Sequence, residues 1–287
     1  MTANILDGKQ LAYRRRMILR KEVDEWYAMG CSRNPGLAVI LVGDDPASII
    51  YTERKRLCCE ELGFLSRYYH FSSDVAIGEV LELIKQLNAD NEIDGILVQL
   101  PLPRDWKLDE VLETIDPTKD VDGFHSCNLG KRVWGWPGMI SCTPYGIMQL
   151  IATTKIDLKG VNAVLVGASS IVGKPLALEL LNQGATVTIA HKFTKHLDEL
   201  VKQAELLVVA VGARCLIPGH WIKKGAIVID VGINRSADGS ICGDVEFIEA
   251  ARRASWITPV PGGVGPMTVQ CLMENTWLAY KNREKKR

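Results

Sequence analysis

Apolar residues in this chain come in short continuous runs separated by amphipathic stretches, the pattern of alternating buried strands and helices. Gly36-Leu-Ala-Val-Ile-Leu-Val42 is such a run, β-branched and without polar interruption, as in a strand covered on both faces of a parallel sheet. Asp45-Pro46 then supplies an N-cap and a first-turn proline, and Gly63 stands where a glycine would close a helix of about 17 residues. A second helical stretch near 74–89 leads into Ile93-Asp-Gly-Ile-Leu-Val-Gln-Leu100, stopped by Pro101 and Pro103, so the first half reads β-α-β-α-β.

Residues 116–144, rich in Gly, Pro and Trp, read as irregular. The alternation then resumes with four buried-strand candidates, Val161–Gly167, Ala185–Ala190, Leu206–Val211 and Ala226–Val231. Helical segments of roughly 10 to 15 residues between the first three predict a doubly wound α/β unit. In the last helix, 266–282, Met267, Cys271, Asn275 and Leu278 are spaced as one face, which would pack back on the first half. The expectation is an α/β protein of two domains: 1–140 with the C-terminal helix 267–287 on it, and a Rossmann-like doubly wound parallel sheet over 141–266.

Composition narrows the function classes. The 287 residues carry 34 Lys and Arg against 34 Asp and Glu, and no long basic block, so a nucleic-acid partner has no electrostatic footprint. The longest apolar runs fall well short of the roughly 20 residues that span a bilayer, so no membrane partner is expected. Asp7 and Lys9 sit where a secretory signal would need its apolar stretch, and the default compartment is the cytoplasm. The eight cysteines (31, 58, 59, 127, 142, 215, 242, 271) form no Cys-x-x-Cys and no ligand cluster with histidine, which predicts free thiols and no metal.

Candidate chemistry collects where strands end, as ligands do in open α/β sheets. Gly167-Ala168-Ser169-Ser170-Ile171-Val172-Gly173-Lys174-Pro175 joins a strand to a helix, a place where a pyrophosphate can meet helix N-terminal amides. Its spacing departs from Gly-x-Gly-x-x-Gly, and a tight turn without ligand stays open. The next strand ends in His191-Lys192 instead of the acidic residue that holds a free ribose, which suits a 2′-phosphate, although a solvated lysine fits too. In the first half, Tyr51 and Lys55 share a helix face, Gln99 breaks an apolar strand tip, and Asp122 lies in Lys119-Asp-Val-Asp-Gly-Phe-His125. A Tyr/Lys pair at this spacing is also an ordinary packing contact. Thr258-Pro-Val-Pro-Gly-Gly-Val-Gly-Pro266 reads as a rigid loop presenting amides to a ligand in preference to a purely structural turn, with a cis proline left open.

Taken in order, Tyr51-x-x-x-Lys55, Asp94-Gly-Ile-Leu-Val-Gln-Leu-Pro-Leu-Pro103, Lys119-Asp-Val-Asp-Gly-Phe124, Cys142-Thr-Pro144, Gly167-x-Ser-x-Ile-Val-Gly-Lys-Pro175, Asp230-Val-Gly-Ile-Asn234 and Pro259-Val-Pro-Gly-Gly-Val-Gly-Pro-Met-Thr268 resemble the bifunctional methylenetetrahydrofolate dehydrogenase/methenyltetrahydrofolate cyclohydrolase family over roughly residues 5–280. The resemblance implies NADP-dependent oxidation of methylenetetrahydrofolate, then hydrolysis of the methenyl cation to 10-formyltetrahydrofolate, in one cleft between two α/β domains of a homodimer. It implies Lys55 as catalytic lysine, Tyr51 stacking on the aminobenzoyl ring, Gln99 positioning Lys55 and Asp122 bonding the pterin. Val98, Leu100, Pro261, Gly262, Gly263 and Gly265 would complete the folate site. Gly167, Ala168, Ser169, Gly173, His191, Lys192 and Ile233 would hold NADP. Many members carry Arg at the position of Ala168, so discrimination for NADP would rest on Lys192 and neighbouring amides.

The chemistry suits these roles. Hydride loss from a methylene between two nitrogens needs alignment, whereas hydration of the resulting cation needs a proton acceptor, and a lysine with a lowered pKa can serve. An NADP-linked dehydrogenase of a shikimate-like hydroxy acid is the alternative within the fold group, but it leaves the Pro-Gly-Gly-Val-Gly-Pro loop without a purpose. A silent dinucleotide-binding regulator would not need Tyr51, Lys55, Gln99 and Asp122 together.

Overall fold

The computed structural model describes residues 2–30, 33–235 and 239–285. In chain order the elements are β1 (Asn4–Ile5), α1 (Gly8–Ala28), β2 (Gly36–Val42), α2 (Pro46–Leu62), β3 (Leu65–Phe71), α3 (Ile77–Ala89), β4 (Gly95–Val98), α4 (Leu108–Thr114), α5 (Ser126–Val133), α6 (Cys142–Thr153), β5 (Asn162–Val166), α7 (Gly173–Asn182), β6 (Thr186–Ala190), α8 (Leu197–Gln203), β7 (Leu206–Val209), a 3-10 turn at Gly219–Trp221, β8 (Ile227–Asp230), β9 (Asn234–Arg235), β10 (Ile241–Cys242), α9 (Phe247–Arg253), β11 (Trp256–Ile257) and α10 (Val264–Glu284). They form two compact units: Arg14–Cys142 with Val269–Arg287, and Met1–Tyr13 with Thr143–Thr268.

In the first of these, β2 lies between β3 and β4 in a parallel sheet, with Val39 opposite both Tyr68 and Leu97. Both β2 and β4 are buried along their whole length, which is why they are apolar without alternation. The amphipathic α3 lays Val80, Ile84 and Leu87 on Ala38, Ile40, Ile96 and Val98. Local signals set the bounds of α2. The Asp45 carboxylate accepts the Ser48 N–H at 2.8 Å, a cap worth about 1 kcal/mol, and Gly63 closes the helix at φ 73°. The chain leaves β2 for β3 on one side and returns to β4 on the other, so a crevice opens at the carboxyl ends of β2 and β4.

The second unit is a six-stranded parallel sheet in the order β1-β11-β8-β7-β5-β6. Read from β6, it is a doubly wound sheet whose direction reverses between β5 and β7. Its core joins Val164, Val166, Leu207, Val209 and Val228 of the strands to Val201, Ala250 and Ala251 of the flanking helices.

Four details depart from the sequence expectation. Residues 1–13 group with the second sheet instead of with the rest of 1–140, because Asn4 and Ile5 pair with Trp256 and Ile257 of β11. The stretch 116–144 contains α5, capped by His125, whose Nδ1 accepts the Cys127 N–H at 3.0 Å. The helix between β6 and β7, α8, has only seven residues. On α10, Met267, Cys271 and Asn275 are buried, but Leu278 is 37% exposed and its turn instead buries Trp277 and Tyr280.

Candidate active site

Lys55 projects from α2 to the crevice between β2 and β4. Its side chain is buried, and Nζ donates to Gln99 Oε1 at 2.8 Å. Gln99 directly follows β4, and its Nε2 donates to the Leu100 carbonyl at 2.7 Å, which leaves the amide oxygen turned toward the lysine. Burial disfavours the ammonium and pulls the Lys55 pKa down; the negative charge of Asp122 opposes this shift, and so does the Cys142 thiol in its ionised form. A buried lysine with a lowered pKa beside one carboxylate is chemically a proton acceptor in waiting.

Asp122 comes from the loop between α4 and α5 and is held by a second carboxylate. Asp120 accepts the N–H groups of Gly123 (3.1 Å), Phe124 (3.1 Å) and His125 (2.9 Å), and the Asn128 side-chain amide at 2.8 Å. This nest of donors fixes the turn from which Asp122 projects. Burial raises the Asp122 pKa, Lys55 lowers it, and Asp120 raises it again. Tyr51 is half-buried one turn before Lys55, and burial also raises its pKa. Val98 is buried in β4, and Leu100 follows it at the strand end.

Sequence reasoning gave Cys142 no role at this site. The residue is buried at the start of α6, its thiol donates to the Val121 carbonyl at 3.2 Å, and it interacts with the Asp122 carboxylate. Burial pushes that thiol well above its ordinary range, so it is a neutral wall beside Lys55 and Asp122. Asn275 of α10 fastens the same corner, donating to the Val121 and Ile140 carbonyls at 2.8 and 2.9 Å. The only sequence signal for Cys142 was its place in Cys142-Thr-Pro144, and for Asn275 its spacing on the helix face.

In the other unit, the candidate dinucleotide residues gather at the β5/β7 reversal. Gly167 has φ 129°, and a Cβ there would fall 2.3 Å from the Ala210 carbonyl oxygen; one on Gly173 would fall 2.0 Å from the Gly167 oxygen. The turn therefore demands glycine at both places and leaves its outer backbone open to close approach, as a dinucleotide requires. Ser169 replaces a third glycine and braces the turn before α7, its Oγ accepting the N–H of Val172 at 3.1 Å. The Gly167 N–H donates to Ala190 O at 2.9 Å, which places His191 and Lys192, both exposed, immediately beyond the strand next to the glycine turn. Ala168 is half-buried in that turn, and the Lys192 ammonium stands 5.0 Å over the exposed Phe193 ring.

Ile233 is exposed beyond β8 and is positioned by two buried carboxylates. Asp230 accepts the N–H groups of Gly232 (3.0 Å), Asp244 (3.0 Å) and Val245 (2.9 Å), while burial pushes its pKa up to about 6. Asp244 accepts the N–H groups of Val211 and Gly212 at 2.7 and 2.9 Å, and Asn234 Nδ2 at 2.8 Å. Pro261, Gly262, Gly263 and Gly265 belong to this same unit, and the Val260–Pro261 bond is cis. Lys9 N–H donates to Gly262 O at 3.1 Å, so the loop is seated on the start of α1. Lys55, Gln99 and Asp122 thus meet with Cys142 in one unit, and the glycine turn, His191, Lys192, Ile233 and the proline-glycine loop lie in the other. Among the described residues no group of three or more His, Cys, Asp or Glu could hold a metal ion.

Comparison with known proteins gives one family along the chain. Residues 6–122 match the tetrahydrofolate dehydrogenase/cyclohydrolase catalytic domain, and residues 141–284 match the NAD(P)-binding domain of the same family. The structure of the bifunctional methylenetetrahydrofolate dehydrogenase/cyclohydrolase of Campylobacter jejuni is 47% identical, with TM-score 0.94 over 98% of this chain and 99% of that one. The dehydrogenase-cyclohydrolase of Trypanosoma brucei, solved with NADP and an inhibitor, is 33% identical, with TM-score 0.95 over 99% of each chain. Shikimate 5-dehydrogenase of Thermus thermophilus shares the fold at 16% identity and TM-score 0.53, over 85% of this chain and 93% of that one. With two matched domains and full-length similarity, the chain belongs to the tetrahydrofolate dehydrogenase/cyclohydrolase family and is a bifunctional methylenetetrahydrofolate dehydrogenase/methenyltetrahydrofolate cyclohydrolase.

Proposed function

We propose that Lys55 is the proton acceptor of the cyclohydrolase step and that NADP is the dinucleotide of the dehydrogenase step. The observation that carries the reading is the buried Lys55 amine, its Nζ 2.8 Å from Gln99 Oε1 and facing Asp122 at the crevice of the first sheet. Gln99 holds the amine in one orientation, Tyr51 offers a ring one turn away for the aminobenzoyl group, and Asp122 accepts hydrogen bonds from the pterin. Oxidation of the methylene carbon asks only that the folate be held still, and these side chains together with Val98 and Leu100 supply that restraint.

NADP supplies the hydride acceptor when bound. Residues Gly167, Ala168, Ser169 and Gly173 would cradle its pyrophosphate, Lys192 and His191 its 2′-phosphate, and Ile233 its nicotinamide end. Water added to the methenyl cation must lose a proton, and neutral Lys55 takes it at Nζ. The family resemblance also supports a homodimer and a cytoplasmic location.

Purified protein supplied with methylenetetrahydrofolate and NADP should produce reduced cofactor and methenyl product, followed by decay of the methenyl absorbance faster than in buffer. Absence of turnover with NADP and brisk turnover with NAD would overturn the cofactor assignment.

A further inference from the structure

Two thiols outside the reaction chemistry stand side by side. Cys215 lies in the loop after β7, exposed and held at φ 49°, and its N–H donates to the Gly243 carbonyl at 3.2 Å. Cys242 is half-buried in β10, opposite Asn234 of β9. The backbone bond from Cys215 to Gly243 and the parallel bridge between Ile217 and Val245 set the two cysteine segments side by side, and the two side chains interact. By contrast, Cys58, Cys59, Cys142 and Cys271 are buried.

Both segments carrying the pair are tied to the backbone beside Ile233, the residue assigned to the nicotinamide end of the dinucleotide. Asp244, two positions after Cys242, holds the N–H groups of Val211 and Gly212 at the start of the Cys215 loop, and it also holds the Asn234 side chain beside Ile233. A movement that closes Cys215 on Cys242 therefore pulls on the backbone at the carboxyl end of β7 and on the strand that carries Asn234.

We propose that Cys215 and Cys242 form a reversible disulfide on exposure to a peroxide, and that this bond weakens binding of NADP. The effect on NADP rests on the dinucleotide assignment made above. In the first step one thiolate attacks a peroxide oxygen; the O–O bond breaks, the sulfur becomes a sulfenic acid, and the departing hydroxide takes a proton as water. The second thiol then attacks the sulfenic sulfur, the S–S bond forms, and a second water leaves. Two thiols lose two electrons and two protons, and one hydrogen peroxide becomes two waters. Burial and the neighbouring Cys242 raise the Cys215 thiol pKa, so the pair depends on proximity more than on a large thiolate fraction. Proximity also decides the product, because the resolving thiol is already in place to capture a sulfenic acid. Intracellular disulfides of this kind are characteristically transient and redox-sensing.

The test treats the reduced full-length protein with hydrogen peroxide, blocks remaining thiols under denaturing conditions, and maps peptides by mass spectrometry. A linked Cys215/Cys242 peptide is expected, released by dithiothreitol and absent from both Cys215→Ser and Cys242→Ser. Recovery of the two cysteines as free thiols or as separate sulfinic acids, while other sites are oxidised, would overturn the pair. Calorimetric titration with NADP should then show several-fold weaker binding by the oxidised wild type, restored by reduction, and no change on peroxide treatment of Cys215→Ser. Equal affinity before and after crosslinking overturns the coupling. Failure of the reduced protein to bind NADP instead overturns the dinucleotide assignment and the affinity effect with it, while the crosslink, read by mass alone, is decided independently.

Discussion

Replacing Lys55 with Met separates the two reactions, because the methionine keeps the length and apolar stem of the side chain and removes only the amine. Folding should survive. Gln99 Oε1 loses the donor 2.8 Å away, a cost of about 1–3 kcal/mol, but the burial that disfavours the ammonium is relieved at the same time. A net change of about 1–2 kcal/mol would move Tm by only a few degrees in a chain of this size. The cyclohydrolase rate should fall by roughly 10² to 10⁴, the contribution of a lost general base, which is roughly 3 to 5 kcal/mol of barrier. Dehydrogenase activity falls less, through a looser folate. The wild-type cyclohydrolase rate should rise with pH through the lowered pKa of Lys55, since the neutral amine is the acting form, and this limb should vanish in the mutant. The assay is decay of added methenyltetrahydrofolate, corrected for spontaneous hydrolysis, with accumulation of methenyl product from methylenetetrahydrofolate and NADP as its counterpart. Hydrolysis at the wild-type rate by Lys55→Met would refute the reasoning and return the Tyr51/Lys55 pair to a packing role.

Asp122→Asn should weaken folate binding and leave NADP binding nearly unchanged in calorimetric titrations; because Asp122 raises the Lys55 pKa, the same variant should move the rising limb of the cyclohydrolase pH profile to lower pH. A loss confined to NADP affinity, or a limb displaced to higher pH, would contradict the assignment. Lys192→Ala should lower kcat/KM for NADP while sparing NAD, by the roughly 1.5 to 3 kcal/mol of a charge-assisted phosphate contact, and equal kcat/KM for the two cofactors in the wild type would defeat the preference itself.

Where the determinants are local, the amino-acid sequence settled the outcome. Asp45, Pro46 and Gly63 bound α2 because a cap, a fixed first-turn φ and a left-handed terminus each act within a turn. The runs that became β2, β4, β5, β7 and β8 were legible because a strand covered on both faces must be apolar throughout. Gln99 stood out as a candidate in the sequence, since a polar residue at the tip of a buried strand is out of place unless a ligand uses it, and Lys55 and Asp122 joined it as a lysine on a helix face and a carboxylate in a glycine-containing loop. The second strand of the first β-α-β-α-β run in chain order was counted but not located, because β3 (Leu-Ser-Arg-Tyr-Tyr-His-Phe) lies at a sheet edge and carries no apolar run. The helix α5 was hidden by the glycines and tryptophans around it, and His125 and the donors on Asp120 hold its start in place. Tertiary structure alone decided the rest: that two residues near the N-terminus extend a sheet whose partner strand lies at Trp256–Ile257, that Cys142 stands beside Asp122 and Lys55, that Asp230 and Asp244 lash three loops together, and that Cys215 meets Cys242. These contacts join residues far apart in the chain, and no periodicity or propensity within a window of sequence encodes which distant partner a side chain will find once the strands are in register.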